Sequence, residues 1–278
     1  MISTGQALEL NIRESKKMPH VPDLRELYEH GWQPRRGELM MVAGRPGAQK
    51  SGFVMWLVEQ WGLPTLYFSG DMSAATASSR IASMKTSMTT EEVEKAMLST
   101  KGYGRQDVLE AVEPSCIKFA FGEISYGKIE AQIDAWVEIN NAYPEVLVID
   151  NLCDIPGCEA DYAAQMEAMQ GLAAIKTELG INVIVLHHAS DKSWSSDAAW
   201  KPPSRQEVKG GLAEKPECSL TVAYNPHMRQ YNIAIVKQRS GFGDPGATSY
   251  VTIACHPEYT RFSALPVDGG VTPIKRGE

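Results

Sequence analysis

No apolar run in the 278 residues approaches the ~20 that a membrane-spanning helix needs, so no membrane partner is expected. The opening MISTGQALELNIRESKK lacks the apolar core of a secretory signal. Cysteine is sparse. The five (Cys116, Cys153, Cys158, Cys218, Cys255) form no C-x-x-C pair, which removes the usual sequence mark of a zinc or dithiol site. Buried free thiols in a reducing cytoplasm are the expectation. Basic excess is missing as well: 27 Lys and Arg against 34 Asp and Glu give a net charge of −7. A polyanion must therefore meet a local basic patch, such as the lining of a ring, rather than the whole surface. Internal repeats are absent. The length suits one large α/β domain or two small ones.

What is present centres on residues 38–72. The apolar run Leu39 to Ala43 ends in Gly44, Arg45, Pro46, Gly47, Ala48, Gln49, Lys50 and Ser51, and a helical stretch follows to Trp61. Strand, tight loop, helix is the setting of a phosphate-binding loop. There backbone N–H groups wrap a phosphate and the helix N-terminus adds partial positive charge. Lys50 would reach the β- and γ-phosphates, and Ser51 would take a Mg²⁺ position. The usual pattern is G-x-x-x-x-G-K-[ST]; Gln49 replaces its second glycine. An ordinary Gly/Pro turn ahead of a lysine is the alternative.

Further apolar strands are predicted at Thr65 to Ser69, Ile117 to Phe121, Glu145 to Asp150 and Ile181 to Leu186, the last running into His187 and His188. Helices are predicted between them, at Ala74 to Met84, through 86–113 with turns near Gly102 and Gly104, at Tyr126 to Asn140 and at Tyr162 to Leu179. This alternation predicts a mostly parallel sheet with helices on both faces. Asp150 closes its strand as the acid that holds Mg²⁺ in such sites. Ser219 to Tyr224, Gln230 to Val236 and Thr248 to Ala254 read as an antiparallel meander. Residues 1–20 read as an arm, 21–265 as the domain and 266–278 as a tail.

Five stretches resemble the C-terminal motor domain of DnaB-type replicative helicases, within the RecA-like P-loop NTPases. They are GELMMVAGRPGAQKS, TLYFSGDMSAATASSRIAS, VLVIDNL, INVIVLHHAS, and NIAIVKQRSG with the later EYTRF. The resemblance implies an ATP- and Mg²⁺-dependent DNA motor that forms a hexameric ring and acts on single-stranded or forked DNA. It also implies a single-domain, phage-encoded or accessory relative, because no counterpart of the replicative helicases' separate N-terminal domain precedes the motor. Three positions depart from the family: Gln49 for the loop glycine, Asp71 for the catalytic glutamate, and His188 for the sensor glutamine.

The resemblance also distributes roles. Asp71 orients or deprotonates the attacking water, or else merely caps the helix from Ala74. His188 senses the γ-phosphate. Lys237 and Arg239 reach a neighbour's nucleotide, or are simply solvated charges. In the 190–211 loop, Lys192, Lys201, Arg205 and Lys209 neutralise DNA phosphates and Trp194 or Trp200 stacks on bases, unless the tryptophans pack back on the domain. Two other readings stay open. Asp150, His187, His188 and Asp191 cluster at strand ends, which suits a Mn²⁺- or Mg²⁺-dependent nuclease. A non-hydrolysing assembly ring that binds nucleotide for shape is the third.

Overall fold

The computed structural model describes residues 17–99, 103–190 and 199–266. Nine strands form one sheet in the order β3-β2-β4-β5-β1-β6-β7-β8-β9. They are β1 (Leu39–Gly44), β2 (Thr65–Ser69), β3 (Ile117–Phe121), β4 (Val146–Asp150), β5 (Asn182–His188), β6 (Cys218–Asn225), β7 (Gln230–Gln238), β8 (Val251–His256) and β9 (Arg261–Ser263). From β3 across to β6 every pair is parallel; from β6 to β9 every pair is antiparallel.

The helices are α1 (Arg25–Glu29), α2 (Lys50–Trp61), α3 (Ala74–Thr86), α4 (Thr90–Leu98), α5 (Tyr103–Val112), α6 (Tyr126–Asn140) and α7 (Tyr162–Leu179). Their ends follow local chemistry. The Ser125 hydroxyl accepts from the Lys128 amide and the Asp161 carboxylate from the Ala163 amide, so each caps a first turn. Gly62 and Gly180 end α2 and α7 in the left-handed conformation.

Because successive strand residues face opposite ways, β1 feeds two cores. Met40 and Val42 join Phe53, Leu57, Ile184 and Leu186 on the α2 face. Leu39, Met41 and Ala43 join Ile129, Leu172, Val183 and Val185 on the α6–α7 face. Burial on both faces is what a fully apolar strand encodes. Ala82, Val93 and Val108 pin α3, α4 and α5 into a satellite bundle. Among the described residues no helix is long and apolar enough to cross a membrane.

Four expectations need correction. The meander is not a separate layer, because β6 pairs in parallel with β1 and extends the main sheet. His187 and His188 lie within β5, paired opposite Ala43 and Gly44. Glu258 to Phe262 forms no finger: Pro257–Tyr259 is a 3₁₀ turn and the edge strand β9 follows it, with Phe262 buried. Gly104 lies inside α5 rather than in a turn.

Candidate functional site

The parallel strands place their C-terminal ends together, where α/β sheets bind ligands. Gly44 leaves β1 where β6 passes. A Cβ there would lie 2.7 Å from the Val222 carbonyl oxygen, so only glycine fits. Arg45 is held from outside, by Glu207 at 3.0 Å and the Lys201 carbonyl at 3.1 Å. The Ala48 amide then donates back to the Arg45 carbonyl, and Gly47 takes φ 77°. Gln49 has φ 55° and ψ 29°, left-handed backbone that favours glycine. That angle is why the usual pattern has glycine here. Among the described residues no side chain caps α2, so its first amides retain capacity for an anion.

The Lys50 ammonium donates to the carbonyls of Gly44 (3.1 Å) and Arg45 (3.2 Å). Burial lowers its pKa to about 8 against the opposing pull of Asp150 and Asp71. Asp150 is 3% exposed. The Tyr67 hydroxyl donates to its Oδ2 at 2.7 Å. Burial raises the Asp150 pKa, while hydrogen bonds from Tyr67 and Ser51 pull it back. A buried carboxylate tied to the serine that follows the loop lysine is a hard oxygen pair of the kind Mg²⁺ takes.

Asp71 is exposed and, among the described residues, has no hydrogen bond or ion pair. It does not cap α3; Ser73 does, accepting from the Thr76 amide at 3.1 Å. Sequence reasoning missed Asp154 beside it. Its carboxylate accepts from the Asn151 amide and packs on Gly70, where an added Cβ would lie 2.5 Å away. Burial, then Asp71, raises the Asp154 pKa. His188 is half-buried; its Nδ1 is sealed from solvent and, among the described residues, has no hydrogen-bond partner. Burial, Lys50 and Lys209 push its pKa down to about 4, so its imidazole is neutral at pH 7.

His187 differs from its neighbour. It is fully buried, with Nε2 3.0 Å from the Lys209 carbonyl and Nδ1 3.8 Å from Cys153 Sγ. Burial, eased by the Lys209 hydrogen bond, lowers its pKa to about 4. Both nitrogens are used in holding β5 to its neighbours, which removes His187 from any metal set. Asp191 lies outside the described residues. Among those residues no group of three His, Cys, Asp or Glu can hold a metal, so the nuclease reading loses its geometric basis.

Of the expected DNA contacts, Lys192 and Trp194 also lie outside the described residues. Trp200 is half-buried, edge-on to His227 with centroids 5.8 Å apart. Arg205 pairs with Glu214 at 3.3 Å. Lys201 and Lys209 are exposed, and the Lys209 charge is felt at Lys50 and both histidines. Lys237 sits inside β7 and donates to the Glu214 carbonyl. Arg239 pairs with Glu217 at 3.2 Å, and Lys176 meets the same carboxylate oxygen at 3.1 Å. Lys237 is level with Ser219 and, through it, with Met41. These cations therefore lie towards the opposite end of the sheet from their own phosphate loop.

The family model of the DnaB-like helicase C terminal domain matches residues 22–264. The Gene 65 protein of Mycobacterium phage L5 is 29% identical over 258 residues, spanning 88% of this chain and 92% of that protein. Gene 65 protein of Mycobacterium phage D29 is 27% identical over 229 residues, spanning 77% and 94%. Among solved structures, a separately solved ATPase domain superposes with a TM-score of 0.76 at 17% identity, covering 95% of this chain and 99% of that one. A DnaB-like replicative helicase, solved with attention to its interactions with primase, gives 0.74 at 17%, covering 96% and 68%.

Proposed function

Since the chain belongs to the DnaB-like helicase C terminal domain family, we propose that it is a ring-forming, DNA-dependent ATPase that works as a phage replication or recombination motor. The observation that carries this is the coupling of Ser51 to the buried Asp150 carboxylate, beside a lysine whose ammonium rests on its own loop carbonyls. Phosphate oxygens are the stronger acceptors, and they draw Lys50 off those carbonyls. Gly44 to Ser51 cradle the phosphates, with ATP the nucleotide expected. Ser51 and Asp150 hold Mg²⁺, which bridges phosphate oxygens and offsets their charge. Asp71 orients the attacking water, and neutral His188 hydrogen-bonds near the terminal phosphate. Lys237 and Arg239 serve a neighbour's site in a ring of six. Residues 21–265 are the ATPase domain, residues 1–20 an arm and 266–278 a tail.

DNA passes the 190–211 segment, with Lys201, Arg205 and Lys209 on its phosphates and Trp200 against a base. Lys192 and Trp194 belong to the same proposed surface. The opposed ends of the sheet support action in trans, because a cation near the start of β1's span cannot reach the loop at its end.

Lys50→Ala tests the reading. The folded variant is expected to lose ATP affinity, and the wild-type chain to release phosphate faster with single-stranded or forked DNA. An unchanged ATP dissociation constant in the variant overturns the site. Binding without hydrolysis in the wild-type chain identifies a non-hydrolysing ring instead.

A further inference from the structure

We propose that Tyr67 is a positioning residue for the Mg²⁺ carboxylate: its buried hydroxyl fixes Asp150 Oδ2, and so the plane in which Asp150 offers its remaining lone pairs to Ser51 and the metal. The inference rests on the reading of Ser51 and Asp150 given above.

Strands β2 and β4 run parallel with Ser69 opposite Asp150 and Tyr67 opposite Val148. Residues two apart on a strand share a face, so Tyr67 sits one pleat below the acid and its long ring spans the step. Neither partner meets water: Tyr67 is 0% and Asp150 3% exposed. Phe119 of β3 packs on the Tyr67 ring, centroids 5.2 Å apart, which resists any swing of the hydroxyl. A carboxylate oxygen buried without a donor is costly, and a charged acceptor makes the hydrogen bond short and strong. Phenylalanine would fill the same apolar space and leave that oxygen bare. The hydroxyl is thus the one part of this side chain that packing does not require.

An outer partner of a metal ligand commonly changes metal affinity by ~10–100-fold when lost. The test compares wild-type chain, Tyr67→Phe, Asp150→Asn and the double variant. ADP affinity is measured in EDTA, Mn²⁺ affinity of the protein–ADP complex by electron paramagnetic resonance, and hydrolysis against Mg²⁺ concentration. For Tyr67→Phe, ADP binding in EDTA is expected to stay at the wild-type value. Its Mn²⁺ affinity should fall ~10-fold or more, with the half-saturating Mg²⁺ rising by the same factor. In the Asp150→Asn background the tyrosine change should add nothing. 4-Methylphenylalanine at position 67 replaces Phe if that variant does not fold; 4-aminophenylalanine restores a donor and should restore Mn²⁺ affinity. Wild-type Mn²⁺ affinity in a folded non-donor variant overturns the inference, as does a loss that persists with Asn at 150. Asp150→Asn binding Mn²⁺ as the wild-type chain does overturns the metal reading itself. That arm contains no change at position 67, so the two failures are distinct.

Discussion

At the scale of single residues, Gln49 occupies a place defined by a backbone angle. A left-handed L-residue costs ~1–2 kcal/mol, and glycine returns part of this by gaining freedom in the unfolded chain. Gln49→Gly is therefore expected to stabilise by ~0.5–1 kcal/mol, read as a higher urea midpoint at constant slope. Turnover should stay level or rise; a collapse would show that the glutamine side chain takes part in the mechanism. His187 makes a second residue-scale prediction. Its pKa falls from 6.5 to about 4 on folding, chiefly by burial. Below pH 6.5 the unfolded chain takes up a proton that the folded chain refuses, so stability drops as pH falls from 6.5 to 4. The total is about 3 kcal/mol at the low end of that window. Urea titrations across it should show this slope reduced in His187→Gln; equal slopes would refute the assignment. The sequence flagged Gln49 as a break in a pattern. Its φ was not legible, and neither was the tie from Arg45 to Glu207, which lies 162 residues away.

Elements were the most legible level. Thr65–Ser69 and Tyr162–Leu179 carry the predicted bounds, because apolar runs, Asp161 and Gly180 are local signals. Strand partners are not local. Nothing in Cys218–Asn225 states that it runs parallel to β1, and β9 has only three residues, too few for a period to show. Tyr67 read as one more apolar strand residue. The β2–α3 turn supplies the test at this level. In Gly70→Ala a methyl group would arrive 2.5 Å from Asp154, which caps Asn151 and stands beside the turn carrying Asp71. Overpacking of this kind costs ~1–3 kcal/mol. The variant should unfold at lower urea and hydrolyse ATP more slowly while binding ADP normally. Wild-type turnover would mean that the turn's position does not matter to the reaction.

For the whole molecule, the expected Arg239→Ala phenotype is a loss of hydrolysis of ~10³-fold with nucleotide affinity retained. Mixing it with Lys50→Ala subunits should recover part of the rate, because some interfaces then join an intact loop to an intact arginine. No recovery, or a monomer by light scattering with nucleotide and DNA present, would exclude action in trans. The shared backbone of β1, β6 and β7 has a mechanical consequence. The Arg239 amide bonds Glu217, the Glu217 amide bonds Leu39, and Gly44 ends the same strand. At ~3.3 Å per residue these ends stand ~16 Å apart on one stiff beam. A subunit tilting by ~10° about the beam's middle moves each end ~1.4 Å in opposite senses, and a displacement of ~1 Å is enough to disable catalysis. One see-saw motion would therefore close a subunit's grip on one neighbour while loosening its grip on the other, so that adjoining sites cannot all be poised to fire together.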